Sequence, residues 1–313
     1  MKVLVAGGFG FVGGRVAQAL TAAGHRVLLG TRQALPKPNW LQAGKVQLLD
    51  WESPPQLRQA CEGVDAVVHA AGMNAAACAA DPAAALYANG VQSTRLLQAA
   101  IQAGVARFFY FSTAHVYASP LAGDIDEQAC PSNMHPYATS HLAGEHALLH
   151  ALECGALHGS ALRLSNAFGR PAQTAADCWG LLANELCRQA VVERKLVLRS
   201  SGTQLRDFIP LSVVCADLQI LLRCPPEQLP PVLNLASAAA ITVAGMASLI
   251  QKRCALTLGF TPQLEYGQRV EPSPALRMGS LHTQRLQLAR PVDLAGEIDE
   301  LLAFCRTQYE GRL

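Results

Sequence analysis

Charge and aromatic rings are scarce in this 313-residue chain: 15% of residues are charged and 6% are Phe, Trp or Tyr. Its 25 Lys and Arg nearly balance 23 Asp and Glu, and no basic block occurs. That excludes the electrostatic footprint of a nucleic-acid or anionic-membrane partner. No apolar run approaches the roughly 20 residues that a membrane span needs. Ten cysteines are scattered without a CxxC pair, which argues against a zinc ribbon or a disulfide scaffold. HExxH, Walker A and Gly-x-Ser-x-Gly patterns are missing too, so no metal set, phosphate-binding lysine loop or serine elbow is expected. With a strand starting almost at Met1, no signal peptide fits, and reduced thiols in a cytoplasmic protein are expected.

What is present is core: half of the residues are hydrophobic, enough for one large α/β domain or a large domain with a smaller lobe. Apolar strand patterns at Val3–Ala6, Arg26–Gly30, Val46–Leu49, Asp65–His69, Arg107–Phe111 and Ser160–Leu164 alternate with helical patterns. Those are Phe11–Ala23, Pro55–Cys61, Ala83–Ala103 and Tyr137–Cys154. Alternation of this kind implies right-handed βαβ units and a doubly wound parallel sheet of Rossmann type. Past Arg170 the pattern loosens. Helices are predicted near Asp177–Ala190, Val213–Arg223, Val243–Lys252 and Leu294–Gln308, with strands at Leu196–Leu198 and Val232–Leu235. Cys224–Pro231 and Gln268–Met278 read as loops. The expected division is a dinucleotide-binding domain over 1–170 with returning segments near 206–254. A substrate-binding lobe would then comprise 171–205 and 255–313.

The first strand runs into glycines at 7, 8, 10 and 13, and a helix follows. Glycines let the backbone approach a pyrophosphate, and a helix N-terminus offers free N–H groups to it. Gly7, Gly10, Phe11, Val12 and Gly13 are therefore candidate cofactor contacts. After the second strand, where NAD-binding sheets usually carry an acid for the ribose, the chain has Thr31-Arg32. Arg32 either pairs with a 2′-phosphate, favouring NADP(H) over NAD(H), or is an exposed strand-end arginine. Asp50 either accepts from an adenine amino group or is a plain turn residue. Thr113 ends the fifth strand, and Tyr137 opens the next long helix 24 residues later. From those places a hydroxyl and a phenol can converge on one carbonyl or carbinol oxygen. His146, His150 and Cys154 share a helix face at metal-chelating spacing, but an exposed polar face is the ordinary meaning.

Motifs in this order resemble the extended short-chain dehydrogenases/reductases, the NAD(P)-dependent epimerase/dehydratase group acting on nucleotide sugars. The marks are Gly7-x-x-Gly10-x-x-Gly13, Val68-His-Ala-Ala71, Asn89, Ser112-Thr113-Ala-His-Val-Tyr117 and Tyr137-x-x-x-His141. Arg163-Leu-Ser-Asn166-Ala-Phe-Gly169 and Gln204-Leu-Arg206-Asp207-Phe-Ile complete the set, over Met1 to about Ser237. The resemblance implies Tyr137 as acid/base and Thr113 as the hydroxyl on the reacting sugar oxygen. It also implies Asn166 against the nucleotide sugar and Arg206 on its diphosphate. Ala70, Ala71 and Asn89 would lie along the cofactor cavity. The family's homodimer, paired through the helices at Ala83–Ala103 and Tyr137–Cys154, is expected as well.

Two departures stand out. The family's lysine, four residues after the catalytic Tyr, is His141 here, an imidazole largely uncharged at neutral pH. Either it substitutes for lysine at the ribose, or the fold binds a dinucleotide as a sensor or scaffold without turnover. The Asp-Glu pair that follows the active Thr in 4,6-dehydratases is Ala114-His115. Epimerisation or ketone reduction is therefore expected over dehydration. His115 either serves as a second acid/base at the sugar or packs against a loop. A reductase of a non-nucleotide ketone is a further alternative, with Arg206 arguing against it.

Overall fold

Residues 1–269, 274–289 and 292–309 are described by a computed structural model of the chain. Runs rich in Val, Leu and Phe form six strands with both faces covered, and a partly exposed seventh, Lys45–Leu48, closes one edge of the sheet. They are β1 (Lys2–Ala6), β2 (Arg26–Thr31), β3 (Lys45–Leu48), β4 (Ala66–His69), β5 (Arg107–Thr113), β6 (His158–Leu164) and β7 (Val232–Leu235). All pair in parallel, in the order β7-β6-β5-β4-β1-β2-β3. The order reverses between β1 and β4, in register Val3↔Ala66 through Ala6↔His69. A doubly wound sheet binds its ligand in the crevice at such a reversal.

Alternate residues of each strand serve opposite layers. Val3, Val5, Phe109 and Phe111 face α1 (Phe11–Ala22) and a later helix at 211–223. Leu4, Phe108 and Tyr110 face α2 (Pro54–Cys61), α3 (Ser93–Gln102) and α4 (Pro136–Glu153). A third core gathers Phe168, Phe208 and residues of α5 (Leu182–Glu193), α7 (Val243–Thr257) and α8 (Leu294–Tyr309). The later helix of the first layer, Leu211–Arg223, is α6. Helix α7, which the expected division splits at residue 254, packs against α5 and α8 in this third core.

Several elements differ from the sequence pattern. The helix expected over Ala83–Ala103 has three parts: Pro82–Ala85, a π-helical segment Leu86–Gln92, and α3. Hydrophobic spacing does not register a π-turn, which adds a residue without changing which residues are apolar. Helix α5 begins at Leu182, five residues later than expected. Within the expected loop Gln268–Met278, Leu276–Met278 is a strand pairing in parallel with Gly123–Ile125. Such a distant partner leaves no local trace. Residues 270–273 of that stretch lie outside the described residues.

Candidate active site

The crevice begins at the turn after β1. Gly7 has φ +78°, and a Cβ there would come within 2.6 Å of the Ala71 nitrogen. This close approach to the Ala70–Ala71 loop after β4 is what the first glycine permits. The turn closes with Gly10 N–H donating to the Gly7 carbonyl at 2.8 Å, and Gly8 N–H donates to Gly30 of β2 at 3.0 Å. Gly10 caps α1 without any side-chain hydrogen bond. The first-turn N–H groups of Phe11, Val12 and Gly13 are thus left for a ligand.

On the β2 side the cleft is lined by Gly7, Gly10, Gly30, Thr31, Arg32, Trp51, His69 and Ala70. Thr31 is buried, and its hydroxyl accepts from Gln33 N–H at 3.3 Å. Arg32 is exposed at the rim and makes no hydrogen bond or ion pair among the described residues. Asp50 does not line this cleft. Its carboxylate accepts from Glu52 N–H at 3.0 Å in a local turn, the plain turn role. Trp51 lines the wall instead, 5.9 Å from the His69 ring. An acid after β3 suggests an adenine contact from sequence alone, whereas the indole one residue on belongs to no motif.

Toward β5 the cleft continues past Phe11, Val12, Ala70, Ala71, Ser112, Tyr137 and His141. Helix α4 starts here because Pro136 occupies its first turn and His135 Nδ1 accepts from Tyr137 N–H at 3.1 Å. Tyr137 and His141 lie one turn apart, their rings edge-to-face with centroids 4.8 Å apart. Burial raises the Tyr137 phenol above its ordinary value, and a hydrogen bond with the Thr113 hydroxyl offsets only part of that. Thr113 is buried at the end of β5, where its hydroxyl also accepts from His115 N–H at 3.1 Å. Burial lowers His141 to about 4, so its imidazole is neutral near pH 7.

Asn89 stands one layer behind the cleft and lines none of it. It is fully buried in the π-helical segment. Its Oδ1 accepts from Met73 N–H at 2.8 Å, and its Nδ2 donates to Ser140 Oγ at 3.0 Å. It pins the loop after Ala71 to α4, so its bearing on the cleft passes through that loop.

A second cleft meets the first at Tyr137 and Ser112. It is lined by Thr113, His115, Tyr137, Asn166, Leu181 and Arg206 among mostly apolar neighbours. Asn166 donates through Nδ2 to the Asp207 carbonyl at 2.9 Å. The buried Asp207 carboxylate accepts from Ser165 Oγ at 2.6 Å and from Ser237 N–H at 2.8 Å. This lock fixes the strand pair that presents Arg206, which is exposed and has no ion-pair or hydrogen-bond partner among the described residues. Arg206 also borders a third, smaller cleft with Leu198, Arg199 and Gln204. His115 lines the second cleft, while burial lowers its pKa and the Ala118 backbone engages its ring. Among the described residues no three His, Cys, Asp or Glu side chains gather as a metal set.

Beneath Thr113 and Tyr137 lies a buried ion pair that sequence spacing does not flag. Arg163 Nη2 donates to Glu145 at 2.7 Å, and Ser112, one residue before Thr113, donates to the same carboxylate. The Arg163 guanidinium also stacks 4.8 Å from the Tyr117 ring. Helix α4, β5 and β6 are thereby joined under the junction of the two clefts.

A profile of the NAD dependent epimerase/dehydratase family matches residues 3–214. The chain is 29% identical over 256 residues to a dTDP-6-deoxy-L-talose 4-dehydrogenase (NAD(P)(+)) of Kitasatospora kifunensis. That match covers 80% of this chain and 78% of the relative. A UDP-glucose 4-epimerase of Azospirillum brasilense is 31% identical over 241 residues, 70% of this chain and 67% of its own length. Among solved structures, MoeE5 in complex with UDP-glucose and NAD shares the fold with a TM-score of 0.80. At 24% identity it spans 98% of this chain and 99% of its own.

Proposed function

Because the chain belongs to the NAD dependent epimerase/dehydratase family, we propose that it is an NAD(P)-dependent epimerase or ketoreductase of a nucleotide-activated sugar. One observation carries the reading: Tyr137 and Thr113 meet where a glycine-turned cleft joins a second cleft holding an unpaired arginine. The glycine turn, the uncapped N–H groups of α1 and the close Gly7–Ala71 approach fit a dinucleotide pyrophosphate. A nicotinamide dinucleotide, when bound, supplies or receives the hydride.

The chain's own groups do the rest. Thr113 orients the reacting oxygen and Tyr137 exchanges its proton. Arg206 offers a charge-assisted donor set to a diphosphate, and Asn166 borders the same cleft. The raised Tyr137 is a phenol at neutral pH, with no cation on its helix face to draw the proton off. A phenol suits protonation of a carbonyl oxygen, so ketone reduction is the favoured direction and epimerisation the second. Ala114 has no proton to exchange where dehydratases carry an acid, which supports neither dehydration nor elimination. Arg32, unpaired at the rim, supports NADP(H) over NAD(H).

The test mixes purified protein and NADPH with a panel of nucleotide-linked keto sugars. We expect NADPH oxidation in the native protein and a loss of at least ~100-fold in kcat for Tyr137→Phe, with NADPH affinity kept. Undiminished turnover in that variant overturns the assignment. NADPH binding with no turnover on any member of the panel supports a dinucleotide-binding protein without catalysis. The uncharged His141 in the family's lysine place favours that second reading.

A further inference from the structure

Residues 171–179 tie together the two rims of the first cleft. That cleft opens between the loops that follow β1 and β4, the strands at which the sheet order reverses. On the β1 rim, Gln173 Nε2 donates to the Phe9 carbonyl of the glycine turn at 2.6 Å. Beside it Ala172 rests on α1, where a Cβ on Gly14 would come within 3.2 Å of the Ala172 methyl group. On the β4 rim, Asn74 Nδ2 donates to the Asp177 carboxylate at 3.1 Å. Between these latches, Ala175 borders the half of the cleft next to β2, and Asp177 borders the half that holds Tyr137.

The same segment is held from outside the cleft by α8. Thr174 Oγ1 donates to Gln308 at 2.9 Å, and Trp179 stacks on Phe304 with ring centroids 6.3 Å apart. Ala176 and Cys178 are buried. The latches differ from this anchor in kind. Gln173 is half-buried and Asp177 is exposed, and each reaches its rim through one hydrogen bond. Water can replace such a bond when it opens, so each latch is weak. We propose that residues 171–179 are a strap that gates the dinucleotide cleft, closed in the free and the loaded protein and opened by release of the Gln173–Phe9 and Asp177–Asn74 contacts. A dinucleotide filling both halves of the cleft lies beneath the strap, so entry and exit both need it lifted. The anchor on α8 keeps the strap attached while the latches part. The proposal rests on the dinucleotide reading above. A ketoreductase must exchange its dinucleotide at every turnover, so strap opening sets an upper bound on its rate.

The test is stopped-flow NADPH fluorescence on the whole protein, with dissociation read by a chase of excess NADP+. Gln173→Ala and Asp177→Ala should each raise association and dissociation rates ~5-fold, and the double variant ~20-fold, with Kd held within ~3-fold. Asp177→Asn keeps an acceptor for Asn74 without the charge, and its rates should stay within ~3-fold of native. A rise there as large as in Asp177→Ala assigns the effect to charge and overturns the latch. Rates within ~2-fold of native in the double variant overturn the proposal. So does faster dissociation with Kd rising in step, the mark of a lost ligand contact rather than a gate. In the free protein the double variant should also speed amide hydrogen exchange over residues 172–178, and unaltered exchange counts against the strap. A native protein that binds no NADPH overturns the dinucleotide reading and the gate together, whereas binding with unaltered rates overturns the gate alone.

Discussion

Single side chains decide the chemistry here, and they differ in how far the sequence discloses them. Thr113 and Tyr137 are legible because each places a hydroxyl at an element end that the pattern locates. Asn89 and Asp50 are less so. Each is polar and near the right place, but backbone N–H groups of Met73 and Glu52 claim their side chains. Arg32 makes the residue-scale prediction. A free guanidinium at the rim should contribute a charge-assisted contact to a 2′-phosphate. Arg32→Ala should weaken NADPH by ~10–100-fold and leave NADH nearly unchanged. Titration followed by Trp51 fluorescence would read both, since that indole lines the same wall. Equal losses for the two dinucleotides would contradict a phosphate role.

Elements supply what residues cannot, and here the sequence is less legible. The strand-to-helix alternation exposes six of the seven sheet strands, and the seventh, Val232–Leu235, stands out as a short run after the prolines at 230 and 231. The π-helical segment is invisible to such a pattern. So is the strand Leu276–Met278, whose partner lies about 150 positions earlier. The buried Arg163–Glu145 pair is invisible for the same reason: it joins β6 to α4 with no shared motif. Removing one partner leaves the other charged and buried. Glu145→Gln should therefore cost ~3–5 kcal/mol of unfolding free energy, measured by urea denaturation. Because Ser112 would then meet a neutral amide oxygen, a weaker acceptor than the carboxylate, the end of β5 should loosen as well, with turnover falling beyond the loss of folded protein. A change below ~1 kcal/mol would show that the pair is not stabilising the β5–α4 joint.

For the molecule as a whole, acid is the condition to which these contacts are most exposed. Burial holds His69 at about 3 and His141 at about 4, below the ordinary imidazole value of 6.5. An unfolded chain takes up a proton at each near that ordinary value while the folded one does not. Unfolding free energy should therefore fall as pH drops below about 6.5, by ~1.4 kcal/mol per pH unit for each imidazole, until the folded group itself protonates. Urea midpoints taken between about pH 7 and about pH 5 should show this slope. His141→Gln should remove one imidazole's share, and an identical slope in that variant would refute it.

Helix α8 reaches Arg15 of α1 with two carboxylates, Glu297 at 3.3 Å and Glu300 at 3.7 Å. Buried Glu297 accepts from Arg15 of α1 at 3.3 Å and from Ser212 N–H at the start of α6 at 3.0 Å. Arg15 sits one turn beyond the glycine loop, yet its carboxylate partner is 282 positions later. During synthesis the first βα unit emerges early, but that charge stays unmatched until residue 297 has left the ribosome. Helix α1 is thus made well before the element that neutralises its buried arginine.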